Sequence, residues 1–322
     1  MKYNQLAKTN LQVSQLSLGT MMFGGQTNES DSLAIMDYAY DQGINVFDTA
    51  NVYNQGESER IVGKALKGRR DQIILASKVN GQMGKNPNDK GLGRRNILSA
   101  VEASLKRLDT DYLDLYYMHA PDYGTDLEES LETMSSLVKS GKARYLGISN
   151  FAAWQVADIF AICDKRNYVA PVITQNVYNL ITRGIETELL PFLTAHPMGL
   201  TIYNPIAAGL LAGKHQPGSP AANTRFANNQ MYFDRYWSDA NFKAIEELTK
   251  IAMANHMTIL ELAMKWCAAH PQVTTILTGV SRLSQLEQNI ASLKGNPINE
   301  AIFAQCNEVW HTLTGKTFQY NR

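Results

Sequence analysis

The stretch Asn45-Val-Phe-Asp-Thr-Ala-Asn-Val-Tyr-Asn-Gln-Gly-Glu-Ser-Glu59 decides how the rest of the chain is read. An apolar run, Val46-Phe47, ends in a carboxylate, Asp48. Tyr53 follows five residues on, and Gln55-Gly56 leads into a helix predicted from Glu57. A buried strand that ends in an acid and turns into a helix has the form of a functional strand end in a βα unit. The plain alternatives are a helix cap at Asp48 and a packing tyrosine at Tyr53. The flanking sequence has to decide between them.

Upstream, residues 2–16 alternate around Lys8-Thr9-Asn10, which predicts a hairpin with Asn10 in the left-handed region. Leu16–Gly19 reads as a first buried strand, followed by the loop Thr20-Met-Met-Phe-Gly-Gly25. Residues 30–42 have helical spacing closed by Gly43. Downstream the unit repeats. Strands are predicted at 73–77, 112–118, 143–148, 172–174, 199–202 and 273–277. Helices are predicted at 58–67, 96–108, 127–139, 152–164, 186–195, 240–254, 258–269, 282–293 and 299–312.

Eight buried strands alternating with helices give a parallel sheet. They most simply close into an α/β (β/α)8 (TIM) barrel, read here as a single domain over residues 1–322 with an N-terminal β-hairpin. An open, doubly wound sheet is the rival, but no GxGxxG follows the first strand. After the seventh strand, residues 207–239 lack a clear period and are broken by Gly209, Gly213, Pro217, Gly218 and Pro220. A loop this long is expected to be a functional lid.

Composition narrows the function classes. With 30 basic and 30 acidic residues in 322, and no like-charge run, nucleic acid is not an expected partner. Met1–Asn10 has no apolar core and no stretch of membrane-spanning length is present, so neither a secretory signal nor a membrane span is expected. Cys163, Cys267 and Cys306 are far apart without zinc spacing. They read as buried free thiols of a cytoplasmic protein, and no metal site is expected.

In a barrel all strand C-termini face one mouth. Here they supply Thr20, Asp48 with Tyr53, Lys78, His119, Ser149-Asn150, Gln175, Tyr203 and Gly279. Each has a dull alternative: Lys78 a surface lysine, His119 a satisfied core histidine. Their convergence from successive strands argues for chemistry. A lysine beside a carboxylate stays charged, and an ammonium near a phenol favours phenolate. Such a phenol can deliver a proton to a developing oxyanion, which a histidine nitrogen can hold in line. The set would stabilise a carbonyl oxygen on its way to alkoxide; it supplies no electrons, so a hydride donor is needed.

The stretches FDTANVYNQGESERIVGKAL (47–66), SLKRLDTDYLDLYYMH (104–119) and YLGISNF (145–151) closely resemble the aldo-keto reductase superfamily, in particular its bacterial-type oxidoreductases. The likeness runs from the hairpin to the last helices. It implies a barrel that binds NADPH/NADP in extended form, in preference to NAD, and reduces an aldehyde or ketone. By this match Asp48, Tyr53, Lys78 and His119 are a catalytic tetrad. Tyr53 is the general acid, Lys78 with Asp48 tunes it, and His119 orients the carbonyl. Thr20 and Met21 would flank the nicotinamide and its ribose. Ser149, Asn150 and Gln175 would hold the carboxamide, and Tyr203 would stack on the ring. Asn204, Pro205, Ile206, Ala207, Ala208 and Lys214 match the pyrophosphate stretch, and Arg225 a lid arginine. Gly279, Ser281 and Arg282 match the adenosine end, the last two at the 2′-phosphate, with Gln285, Gln288 and Asn289 facing adenine. A capped surface helix, with Ser281 as the cap, is the plain alternative for that last segment.

The implied partner is a small carbonyl or alcohol. Met22, Phe23, Val52, Asn80, Pro121, Tyr123 and the lid aromatics Tyr232, Phe233, Tyr236 and Trp237 are pocket candidates, and Lys316–Arg322 is a short tail. The lid aromatics could instead pack the lid down or form an oligomer contact; the oligomeric state is left open. Phe23-Gly-Gly-Gln26 and the run from Asn204 also resemble the β subunits of voltage-gated potassium channels, implying an alternative: an NADPH-binding regulatory subunit with slow turnover. A third reading, a Schiff-base lyase using Lys78, conflicts with a lysine held charged by Asp48.

Overall fold

The computed structural model describes residues 1–222 and 224–314. Lys316–Arg322 and the Arg225 side chain, both singled out above, lie outside the described residues. In chain order the elements are β1 (Tyr3–Gln5), β2 (Gln12–Ser14), β3 (Leu16–Gly19), α1 (Glu29–Asp41), β4 (Val46–Asp48), α2 (Glu57–Ala65), β5 (Ile74–Val79) and α3 (Arg94–Leu108). There follow β6 (Leu113–Met118), α4 (Leu127–Lys139), β7 (Ala143–Ser149), α5 (Ala153–Arg166), β8 (Ile173–Val177), α6 (Leu189–Ala195) and β9 (Gly199–Tyr203). The remainder are α7 (Arg225–Asn228), α8 (Gln230–Tyr236), α9 (Asp239–Ala254), α10 (Ile259–Ala269), β10 (Thr275–Gly279), α11 (Leu283–Ala291) and α12 (Glu300–Thr314).

β3 to β10 form a closed barrel in the order β10-β3-β4-β5-β6-β7-β8-β9, with helices between the strands: the (β/α)8 architecture expected. β1 and β2 pair as a separate antiparallel hairpin. The strands form where the chain can be buried on both faces. β5, Ile-Leu-Ala-Ser-Lys-Val, has no exposed residue, and its one charge is balanced inside the barrel.

The chain divides into two compact units: Met1–Asn176, Ile185–Tyr203 and Gln272–Glu287; and Val177–Gly184, Asn204–Pro271 and the chain from Gln288. The first carries the barrel. Leu6 and Val13 of the hairpin pack with Val46, Ile74, Ala76, Leu115, Tyr117 and Ile173 in one apolar cluster. Gly199 makes room for this, because a Cβ there would stand 2.3 Å from Leu6 Cδ1. Tyr117 lies over Gly147 for the same reason, with 2.4 Å from an added Cβ to its ring.

In the second unit, Trp266 of α10 is wholly buried and stacks on Phe303 of α12, ring centroids 5.6 Å apart. The Arg183 guanidinium lies 4.8 Å over the Trp266 ring and donates to Asn307 at 2.7 Å. Cys163, Cys267 and Cys306 are free and buried; burial pushes the thiols of Cys163 and Cys306 up to about 11, and that of Cys267 higher. Among the described residues no helix is long and apolar enough to cross a membrane, and no group of three metal-ligating side chains comes together.

Three expectations need correction. The hairpin's left-handed residue is Ala7, φ 47°, not Asn10: the Thr9 hydroxyl donates to Leu6 O at 2.7 Å and closes the turn earlier. The helix expected over 186–195 begins at Leu189, which leaves Pro191 in its first turn, where a missing N–H is tolerated. Residues 207–239 are not without structure. They hold a 3-10 segment (Ala207–Ala212) and the short helices α7 and α8, capped by the Thr224 and Asn229 side chains. Helices of this length show no period in sequence. The aromatics here pack on one another: Trp237 meets Phe226, Phe233 and Phe242 with centroids 5.0, 6.0 and 5.0 Å away, and Tyr232 and Tyr236 are buried.

Candidate active site

β4 ends on Asp48, and the chain then reverses through a 3-10 turn, Tyr53–Gly56. Asn54 and Gln55 take φ of 48° and 54°, and Gly56 takes 86°. Three consecutive left-handed residues are unfavourable, at about 1–2 kcal/mol for each non-glycine, and such strain clusters at functional sites. Asn54 secures the turn by donating to Met21 O at 3.0 Å and Phe23 O at 2.8 Å. The result is a phenol, Tyr53, brought back beside the strand end.

Lys78 is 0% exposed and sits one residue from the end of β5. Its Nζ pairs with Asp48 Oδ1 and donates to Thr49 O at 2.8 Å and Tyr53 Oη at 3.4 Å. An ammonium has three N–H donors, and here each has an acceptor. Burial alone would push Lys78 down, but the Asp48 carboxylate and Tyr53 outweigh it and the net shift is upward. The side chain therefore stays charged inside the barrel.

His119 follows β6 and is fixed by its backbone N–H to Val79 O at 2.9 Å. Its ring meets the Tyr53 ring edge-on, centroids 5.7 Å apart at 77°. Burial, with help from the Lys78 charge, lowers it to about 3, so the imidazole is neutral at neutral pH. Asp48, Tyr53, Lys78 and His119 thus come together as expected from sequence.

Three further residues join this group. Gln175 Nε2 donates to Asp48 Oδ2 at 2.9 Å. Ser149 Oγ donates to Gln175 O at 2.9 Å. Asn150, with φ 65°, donates to His119 O and Ser149 Oγ at 3.1 Å each and accepts from Tyr203 Oη at 2.7 Å. A charged lysine, a phenol and a neutral imidazole at the C-terminal end of a barrel can polarise a carbonyl and protonate its oxygen.

The aldo/keto reductase family model matches residues 15–311. The chain belongs to the aldo/keto reductase family. It is 37% identical over 305 residues to a probable voltage-gated potassium channel subunit beta of Arabidopsis thaliana, covering 92% of this chain and 93% of that one. It is 34% identical over 323 residues to aflatoxin B1 aldehyde reductase member 2 of Rattus norvegicus, covering 95% and 87%. An uncharacterised oxidoreductase of Bacillus subtilis is 35% identical over 329 residues, covering 98% of both.

Other positions expected of an aldo/keto reductase have diverse surroundings. Thr20 is wholly buried, its hydroxyl on Asp48 O at 3.0 Å and Ser58 Oγ at 2.7 Å. Met21 is exposed. Gln285 Oε1 accepts from the backbone N–H of Ser281 at 2.8 Å and of Arg282 at 3.3 Å, capping α11 from within. Arg282 is exposed and bonds to no described side chain through its guanidinium; Gly279 is also exposed. In the second unit, Asn204, Ala207, Ala208 and Gly209 take φ of 55°, 48°, 58° and 105°. Pro205 and Ile206 separate the first of these from the other three, Ile206 with φ -109°, and Lys214, beyond them, is exposed. Left-handed backbone of this kind turns N–H groups to one side, as anion-binding loops do. Gln288 is exposed and Asn289 buried.

Of the pocket candidates, Phe23 is wholly buried. Asn80 donates to Ala120 O at 2.8 Å, and Tyr123 is 85% exposed with its hydroxyl on Gln155. The reading from sequence missed the Thr49 carbonyl and Ser58, which bonds Thr20 and Thr49. It also missed a second ion pair, buried Glu59 with half-buried Arg107. Only the Ser-Glu of the first helical turn hinted at these, and a helix-dipole reading explains that equally well.

Proposed function

We propose that this aldo/keto reductase reduces a small aldehyde or ketone to the alcohol, with Tyr53 as proton donor and NADPH as the reductant. The observation that carries the reading is the buried Lys78 ammonium, bonded at once to Asp48, Thr49 O and Tyr53 Oη. A fixed positive charge at a phenol oxygen stabilises the phenolate left after proton transfer. Neutral His119 offers a hydrogen bond to the same carbonyl oxygen without competing as an acid. The bound nicotinamide would supply hydride. Features of the chain fit such a cofactor: the exposed Arg282 guanidinium, bonded to no described residue at the start of α11, suits a 2′-phosphate, and the left-handed positions Asn204 and Ala207–Gly209 suit phosphate oxygens. The aldehyde reductase relatives support the direction of reaction.

A second reading is an NADP(H)-holding regulatory subunit, favoured by the likeness to a potassium channel subunit beta. Turnover separates the two. Tyr53→Phe should lower NADPH-linked carbonyl reduction at least about 10²-fold while NADPH binding, followed by fluorescence titration, stays within a few-fold. Reduction persisting at the wild-type rate would remove Tyr53 as the donor; no reduction by the wild type across a panel of aldehydes and ketones would favour the regulatory reading. Arg282→Ala should weaken NADPH roughly tenfold more than NADH, and an equal loss of both would remove the 2′-phosphate assignment.

A further inference from the structure

The chain carries 30 basic and 30 acidic residues, yet one groove on the outside of the barrel is lined almost wholly by cations. It lies between α2 and α3 and has a volume of about 500 Å³. Arg60, Lys64 and Lys67 come to it from α2 and the residues just after it, and Lys106 and Arg107 from α3. Asp109 is the one acid among the described residues that line it. Gly63 lies in the lining where the two helices pass most closely: a Cβ there would stand 2.6 Å from Leu108 O.

Two features set this groove apart from an ordinary solvated face. The charges crowd one another: Arg60, Lys64 and Lys67 fall on one face at steps of four and three, and like charges so spaced disfavour a helix. The counter-charges are also few or weakly held. Arg60 reaches Glu57 at 3.2 Å and Lys64 reaches Glu29 at 2.7 Å, both as exposed pairs, which are readily given up for a stronger acceptor. Arg107 gives Nε and Nη2 to Glu59. The ammonium groups of Lys67 and Lys106 have no acceptor among the described residues. Helix dipoles account for part of this, since Lys64, Lys106 and Arg107 stand in last turns, where a cation is favoured. They do not account for Arg60, in the first half of α2, or for Lys67, beyond its end.

We propose that this groove is a binding site for a small oligophosphate anion. It shares no lining residue with the active site described above, and the inference does not rest on the function proposed there. The volume is that of a small-molecule site. The balanced charge of the rest of the chain offers no continuous basic stripe to a nucleic acid. Two facing rows of cations suit a ligand whose negative charge is spread along a chain, and phosphate oxygens accept from ammonium and guanidinium groups alike. A lone carboxylate or sulfate would meet only part of the lining.

The test uses the whole protein with NADP⁺ in excess, so that a cofactor phosphate site is already filled. Calorimetric titration with sodium tripolyphosphate should show one site, weaker at higher salt. Lys67→Gln combined with Lys106→Gln should weaken it at least about tenfold. Both lysines are exposed, so the melting temperature of that double variant should not change. Arg282→Gln should leave tripolyphosphate binding as it was. Four results would overturn the proposal: no binding by the wild type; wild-type affinity in the double variant; loss of binding in Arg282→Gln, which would put the anion at the proposed cofactor site; or sulfate bound as tightly as tripolyphosphate. A polyglutamate peptide bound more tightly than tripolyphosphate would overturn it too, in favour of a protein docking face. ATP distinguishes the sources of the phosphate chain. Equal affinity for ATP and tripolyphosphate assigns the site to the chain alone; tighter ATP binding that the double variant loses assigns it to a nucleoside triphosphate, and both results uphold the site. A lysine-dependent anion site in a protein that does not bind NADP⁺ faults the proposed function alone.

Discussion

Two ion pairs, each with a buried carboxylate, stand back to back against β5. Lys78 points into the barrel and pairs with Asp48; Ser77, its neighbour, points outward and donates to Glu59 Oε1 at 2.6 Å, while Glu59 Oε2 takes the Arg107 guanidinium at 2.6 Å. Side chains alternate along a strand, so adjacent residues serve opposite faces. Both carboxylates are buried and both are bonded on each oxygen. Yet among the described residues only the inner cation donates to a phenol; Tyr116, which feels Glu59 and Arg107 across a distance, is bonded to neither. The outer pair ties α2 and α3 to the strand, where Gly56 lets the Arg107 stem lie against the turn, 2.7 Å from an added Cβ. Burial and charge pairing are thus common to scaffold and site. The difference is what the cation does with its remaining donors.

Substitutions can break that comparison. The largest expected effect is Lys78→Met, which should lower kcat/KM for carbonyl reduction by roughly 10³-fold, since the charge beside Tyr53 is gone. Arg107→Met should leave the rate of the folded protein within a few-fold. Both variants abandon a buried carboxylate, so both should lose about 3–5 kcal/mol in urea denaturation. Equal losses of activity in the two variants would mean that the inner pair is scaffold as well. The smallest effect concerns His119, held neutral down to about 3. The unfolded chain takes up a proton near pH 6.5 that the folded ring refuses. Between pH 7.5 and 5 the wild-type melting temperature should therefore fall relative to that of His119→Asn, because stability rises with pH wherever the unfolded state binds more protons. The rate should show no limb near 6.5; one that vanishes in His119→Asn would show a charged imidazole instead.

The barrel was legible because each inner strand is an apolar run that stops at a polar residue, as Val46-Phe47-Asp48 does. Asp48, Lys78 and His119 were readable as strand ends, and Tyr53 by its five-residue step. What sequence does not carry is which atom meets which. Gln175 was read as a ligand residue, and nothing in its spacing 127 positions from Asp48 announces the bond between them. Thr20 likewise marked a strand end correctly while its hydroxyl turned out to be internal, bonded to Asp48 O and Ser58. The hairpin misread was local: a threonine side-chain bond outcompeted the usual preference of asparagine for the left-handed region. Helices α7 and α8 are too short for periodicity and are specified by their caps.

The two-sidedness of β5 also bears on how the chain finds its register while folding. A slip by one residue would turn every side chain of the strand to the opposite face. Lys78 would then face Glu59 and find a carboxylate there, so the outer surface alone would not reject the error. Inside, however, Asp48 would be left with Ser77 or Val79 opposite it and no cation, and a buried carboxylate without its partner is unfavourable by several kcal/mol. The pair proposed to set up proton transfer would thus also discriminate between registers during assembly, and a variant that neutralises Asp48 should fold with less discrimination between the two alignments of its own third barrel strand.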